Sequence, residues 1–451
     1  MAKRLVIVGG GAAGMSAASA ARRVDPDLDV VVLEAGSHAA YGLCGLPYFL
    51  ANVVPEIDSL RAYPPEYFRE ARGIDLRFEA DVLRLDPARQ EVHFQSGDGL
   101  DVLTYDKLVL ACGATPALPP VPGIDDDHVF TIRRVDESSR LRALLDAGHV
   151  GRATVVGAGY IGLEIAEALS SRGVEVTVVE ALPRVMSNLD DVIAERVEAE
   201  VRRHVEVRLG TRLRALTRQE TGIDVDLDGS TPVVADVVVI ATGVRPGSAL
   251  GATAGAATGP HGALMVDASM RTSIPNVYAA GDCVNVNHIV TGRPTFVPLG
   301  PAANKTGRVA GTVAAGGAAY FPGVVGTAVV KVFELSVGRT GLTLDEALAE
   351  GFDAHATDAV GRSRAKYYPR SAAVHVRLVH TVDGHLLGGQ MVGTGDDVAK
   401  RIDVLAVSLH AGLGVSDLAD LDLSYAPPFA PVYEPVQLAA FAARPSVRSA
   451  S

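Results

Sequence analysis

A thiol, two glycine loops and three carboxylates carry the chemistry open to this sequence. Cys44 stands in Tyr41-Gly42-Leu43-Cys44-Gly45-Leu46-Pro47-Tyr48, with Pro47 placed for the first turn of a helix. A thiol at a helix N-terminus meets the positive end of the dipole, which lowers its pKa and keeps it as the reactive thiolate. Cys112 and Cys283 are remote from it and from each other in sequence, so neither a disulfide framework nor a CxxC metal or dithiol motif is available. Both read as small buried hydrophobes. A solitary redox cysteine cannot store two electrons as an internal disulfide. Its oxidised form must be a mixed disulfide with a small thiol or a sulfenic acid, which makes the substrate a disulfide in the first case and a peroxide or oxygen in the second.

The loops are Gly9-Gly10-Gly11-Ala12-Ala13-Gly14 and Gly157-Ala158-Gly159-Tyr160-Ile161-Gly162. In this GxGxxG spacing the first glycine permits the turn, the second lets backbone approach a pyrophosphate, and the third lets helix and strand pack closely. The helix that follows offers amide donors and a positive dipole to the phosphates. Gly9, Gly11 and Gly14 are answered by Glu34 at the end of the next strand, and Gly157, Gly159 and Gly162 by Glu180, each carboxylate placed for ribose hydroxyls. Asp282, closing a later apolar strand, is placed to reach the ribityl and phosphate region of a flavin. FAD in the first loop and a nicotinamide dinucleotide in the second is the economical assignment. Glu180 repels a 2′-phosphate and favours NADH, while Arg184 close by leaves NADPH open.

Positioning these residues requires an α/β chain with two Rossmann-like dinucleotide-binding domains. Leu5–Val8, a helix to Arg23 and Val30–Leu33 form one βαβ unit; Ala153–Val156, a helix to about Arg172 and Glu175–Val179 form another. Val237–Ala241 and Val277–Asp282 are further strands. Past Gly323 the texture changes to alternating strands such as Ala373–Val379, with a helix expected over Asp396–His410. The expected division is a discontinuous FAD-binding domain over 1–115 and 245–323, an NAD(P)-binding domain over 116–244, and an α+β domain over 324–451. The tail from Ala442 lacks periodic apolar residues and is expected to fray.

Composition narrows the partners. A formal net charge of −12 and an aromatic share of 5% without Trp disfavour a nucleic-acid binder. Lys3 and Arg4 before a short apolar run imitate a secretion signal, but the run enters a glycine turn too soon. No stretch reaches the roughly 18 apolar residues of a bilayer span. A reducing, cytoplasmic setting is expected.

These motifs, with Asn276-Val277-Tyr278-Ala279-Ala280-Gly281-Asp282, Tyr367-Tyr368-Pro369, Lys400-Arg401-Ile402-Asp403-Val404-Leu405 and Tyr425-Ala426-Pro427-Pro428-Phe429, resemble the single-cysteine class of the pyridine nucleotide-disulfide oxidoreductases, most closely the coenzyme A-disulfide reductases. The resemblance covers nearly the whole chain. It implies a homodimer in which the C-terminal dimerisation domain of one subunit covers the cysteine of the other. Tyr367 and Tyr425 of the partner would then flank Cys44 and donate hydrogen bonds or a proton to the leaving thiolate. It also implies that NAD(P)H reduces FAD and that FAD reduces a mixed disulfide on Cys44. Peroxide- and oxygen-reducing members resemble the chain as well, but carry a histidine where this sequence has Ala12. Ala40 and Leu43 replace the Ser and Asn of typical coenzyme A-disulfide reductases, and the lysine those enzymes carry near Tyr433 is missing. Arg23 and Arg72 remain to meet a substrate phosphate. The implied substrate is coenzyme A disulfide or a related low-molecular-weight disulfide, persulfide or polysulfide.

Overall fold

The computed structural model describes residues 3–97 and 99–444. The β-branched run Arg4–Val8 forms β1, Ala12–Val24 forms α1 and Asp29–Leu33 forms β2. Ile74–Arg77 (β3) and Lys107–Leu110 (β4) extend the sheet, with β1 parallel to β2 and β4, and β2 parallel to β3. Leu5, Val6 and Ile7 are fully buried, as strands covered on both faces require.

The chain then builds the same unit again. Val129–Phe130 (β5), Arg152–Val156 (β6), Tyr160–Ser171 (α2), Glu175–Val179 (β7), Glu206–Arg208 (β8) and Val237–Ile240 (β9) form a parallel sheet in the order β8-β7-β6-β9-β5. The crossing between units is itself a ribbon, in which Ala114–Pro116 pairs antiparallel with Val244–Pro246. The chain next returns to the first unit. Val277–Ala279 (β10) adds to β4, giving the order β10-β4-β1-β2-β3. Gly300–Ala314 (α3) packs on the alanine face of α1 so closely that a Cβ at Gly307 would lie 2.1 Å from the Ala13 carbonyl oxygen.

Five antiparallel strands complete the chain: Ala328–Val332 (β11), Leu335–Gly341 (β12), Ala354–Arg362 (β13), Ala373–Thr381 (β14) and Leu386–Thr394 (β15), ordered β11-β12-β15-β14-β13. The helix expected over Asp396–His410 is two helices, Asp396–Lys400 and Ile402–Ala411 (α4). They meet at Arg401, where the bonds tighten to i+3, from Arg401 N–H to the Val398 carbonyl and from Val404 N–H to the Arg401 carbonyl. Ala442 and Ala443 do not fray, since they end the helix Pro435–Ala443 (α5), with Ala443 buried; the tail from 445 lies outside the described residues. Among the described residues no helix is long and apolar enough to cross a membrane.

Candidate active site between two nucleotide cradles

Both glycine loops follow one geometric plan. Gly9 has φ +101°, and a Cβ there would stand 2.3 Å from the Ala111 carbonyl oxygen; at Gly14 it would stand 1.8 Å from the Gly9 carbonyl oxygen. At Gly11 nothing lies within 4 Å, which is the open approach a pyrophosphate needs. Gly157, Gly162 and Gly159 repeat the pattern, with 2.4 Å, 1.9 Å and open space.

The paired carboxylates match too. Glu34 accepts hydrogen bonds from the amides of Gly10 (2.6 Å) and Gly36 (2.8 Å), and Glu180 from those of Ala158 (2.7 Å) and Leu182 (2.9 Å). Each is therefore fixed by backbone at the lip of its loop. The residues fit two dinucleotides. Arg184, which sequence placed near the second ribose, instead pairs with Asp191 and is absent from the cavity wall formed by the described residues. Its short reach after Glu180 was legible, but the acidic partner on the next helix was not.

One cavity of about 2610 Å³ joins both loops to Cys44. Asp282 lines it and pairs with Arg133 at 3.2 Å, while Arg133 also donates to the Ala114 carbonyl at 2.8 Å. Arg23 and Arg72 line another part of the wall, where Arg72 donates to the Tyr67 hydroxyl at 2.8 and 3.0 Å. Ala12 presents only its methyl group to the same space.

Cys44 is set by the loop and helix around it. Ala40 N–H donates to the Gly10 carbonyl (2.9 Å) and Gly42 N–H to the Leu60 carbonyl (2.8 Å). After a 3-10 turn over Leu43–Gly45, the short helix Leu46–Leu50 buries Leu46 and Leu50 in the core cluster that holds Leu163 of α2. The thiol thus sits in the turn that leads into a helix anchored against the second nucleotide unit.

Sequence reasoning expected a lowered thiol pKa, and the chain by itself does the opposite. Burial by the cavity walls pushes the Cys44 thiol up, and the charges of Glu164 and Asp282 push the same way, with only Arg133 and backbone opposing them. A five-residue helix has too few aligned peptides to outweigh this. Glu164 is the residue the sequence reading missed. It lines the cavity from α2, accepts from the Tyr48 hydroxyl at 3.2 Å, and is pushed up to about 7, chiefly by burial. Tyr48 is itself pushed up to about 12 by burial and by the Glu164 charge. Burial also raises Cys112 and Cys283, the latter to about 11, so both remain inert thiols.

Tyr367 and Tyr425 stand exposed beside one another in the loops 363–372 and 420–434, outside the cavity of their own chain. Phe429, Val432 and Tyr433 are exposed beside Tyr425 in sequence. Buried Arg401 braces this face. It donates to the carbonyls of Ser363 (2.6 Å) and Phe429 (2.9 Å) and pairs with Glu434 at 2.7 Å.

Residues 3–306 match the pyridine nucleotide-disulphide oxidoreductase model, and residues 327–436 match the dimerisation domain of the same family. The chain belongs to that family. Its members use FAD with NAD(P)H, in keeping with the two cradles. Among relatives, the NAD(P)H coenzyme A polysulfide/persulfide reductase of Pyrococcus horikoshii is 39% identical over 438 residues, covering 97% of each chain. A protein of Methanocaldococcus jannaschii named NADH oxidase is 37% identical, covering 97% of this chain and 98% of its own. The solved NAD-dependent persulfide reductase from A. fulgidus superposes with a TM-score of 0.94 at 40% identity, over 97% of this chain and 82% of that one.

Proposed function

We propose that this family member reduces a low-molecular-weight disulfide, persulfide or polysulfide, coenzyme A disulfide included, with NAD(P)H through a mixed disulfide on Cys44. The observation that carries it is the thiol of Cys44, the one exposed cysteine, opening into the cavity that both cradles share, while Cys112 is half-buried in the cavity wall, Cys283 is buried, and desolvation raises both of their thiols. FAD, when bound, relays two electrons between the nicotinamide and sulfur. The Cys44 thiolate attacks one substrate sulfur, forming a mixed disulfide and releasing the first thiolate. Two electrons then cleave that bond, releasing the second thiolate and restoring Cys44. Net, one disulfide, one NAD(P)H and one proton yield two thiols and NAD(P)+. In this reading Arg23 and Arg72, which line the cavity, meet a phosphate on the substrate, and Glu34, Glu180 and Asp282 serve the nucleotides.

Protonated Glu164 removes the charge that most opposes thiolate formation, so its proton supports the attack. In the functional homodimer Tyr367 and Tyr425 of the partner subunit act at Cys44, and the exposure of this braced pair on its own chain supports that reading. Ala12 offers no base to the cavity it shares with Cys44, which weighs against the oxidase reading raised by the M. jannaschii relative.

The test is anaerobic NADH oxidation with coenzyme A disulfide, alongside intact mass before and after reductant. Disulfide-stimulated turnover that Cys44→Ser abolishes is expected. Rapid NADH oxidation under air, with no anaerobic stimulation by any disulfide, would replace this reading with an oxidase.

A further inference from the structure

The second cradle holds a cation that nothing so far has used. The Thr211 amide donates to the Glu180 carbonyl at 2.9 Å and the Gly210 amide to the Leu182 carbonyl at 2.9 Å, so the segment 209–212 runs beside the end of β7. Arg212 follows directly, exposed, and lines the same cavity as Glu180 and Leu182. Among the described residues its guanidinium has no hydrogen-bond or ion-pair partner.

We infer that Arg212 is the residue that admits NADPH, by meeting the 2′-phosphate on the side of the ribose away from the glycine loop. The inference rests on the second cradle taking a nicotinamide dinucleotide, as proposed above. Glu180 cannot swing aside for the phosphate, because each of its oxygens already accepts a backbone amide. A phosphate held beside the carboxylate, toward the 209–212 segment, meets Arg212 in the cavity wall. Arg184, nearer in sequence, is held by Asp191. A guanidinium supplies planar paired donors and a full charge to a phosphate dianion, whereas the 2′-hydroxyl of NADH gives it nothing comparable to bind. Arg212 thus sets the ratio of the two nucleotides and leaves NADH binding to Glu180.

The probes are adenosine 2′,5′-bisphosphate and AMP, titrated calorimetrically into the FAD-loaded protein, with stopped-flow flavin reduction by NADPH and NADH as a second readout. Arg212→Gln should weaken the bisphosphate about tenfold, the scale of one lost charge-assisted contact, and leave AMP within about twofold. Arg184→Gln should change neither. Equal losses of both probes in Arg212→Gln would mean that the side chain stacks on adenine, and would overturn the inference. So would no loss of either, or a selective loss in Arg184→Gln. Flavin in the wild type that neither nucleotide reduces would instead remove the reductase reading itself.

Discussion

Replacing Glu164 by Gln isolates the carboxylate that works against Cys44. Gln keeps the acceptor oxygen for the Tyr48 hydroxyl and removes only the charge. In the folded chain Glu164 titrates at about 7 against an ordinary 4.5. At about 1.4 kcal/mol per tenfold, ionising it there costs on the order of 3 kcal/mol. Because the folded-state pKa is raised, the stability this group contributes is complete below pH 4.5, fades as pH rises, and is gone above about 7. Between about pH 5.5 and 8.5 the wild type should therefore lose about 2 kcal/mol that Glu164→Gln keeps. The assay is urea unfolding of both proteins at several pH values and one fixed protein concentration, since dimer stability depends on concentration. The reduced Cys44 thiol should also alkylate with iodoacetamide at a lower pH midpoint in Glu164→Gln, with Cys44→Ser giving the baseline of the other two cysteines. Parallel stability curves together with an unmoved alkylation midpoint would refute the reasoning.

Gly162→Ala should abolish flavin reduction by NADH yet retain FAD, because a Cβ there would lie 1.9 Å from the Gly157 carbonyl oxygen and leave the first loop untouched; flavin content and stopped-flow reduction measure the two separately. Arg401→Met removes the buried guanidinium that pairs with Glu434 and donates to the Ser363 and Phe429 carbonyls, and should destabilise the C-terminal domain by about 3–5 kcal/mol in denaturant unfolding. Hybrid dimers made from Cys44→Ser and Tyr425→Phe subunits should contain one fully intact site and regain about half of wild-type disulfide turnover per dimer; inactivity of the mixture would place the tyrosine with its own chain's cysteine.

The nucleotide loops were legible because their demands are local. Gly9 and Gly14 are forced by carbonyl oxygens of their own turn and the adjoining strand, and Glu34 and Glu180 are pinned by amides within about a βαβ unit of them. The environment of Cys44 was not, since Glu164, Asp282 and Arg133 are brought to it across two domains, from positions with no spacing relation to the thiol. For the same reason the helix dipole looked decisive on paper while remote burial and charge outweigh it. Arg184 shows the limit at short range, since nearness to Glu180 said nothing about Asp191 claiming its charge. The break at Arg401 was hidden because both halves keep helical periodicity, and only the acceptors in two distant loops show why the side chain is there.

The first sheet closes late. Its strand β4 ends at Leu110, and its neighbour β10 begins only at Val277, after the whole second unit has been made. At about 5–20 residues per second of synthesis, an emerging chain carries that open parallel edge for on the order of ten to thirty seconds. The FAD cradle also lacks Asp282 and α3 through that time. The second unit, whose strands all lie within one continuous stretch, can fold first and serve as the surface onto which the older half assembles. Folding can thus run against the order of synthesis, with the full flavin cradle available only once the chain has passed α3.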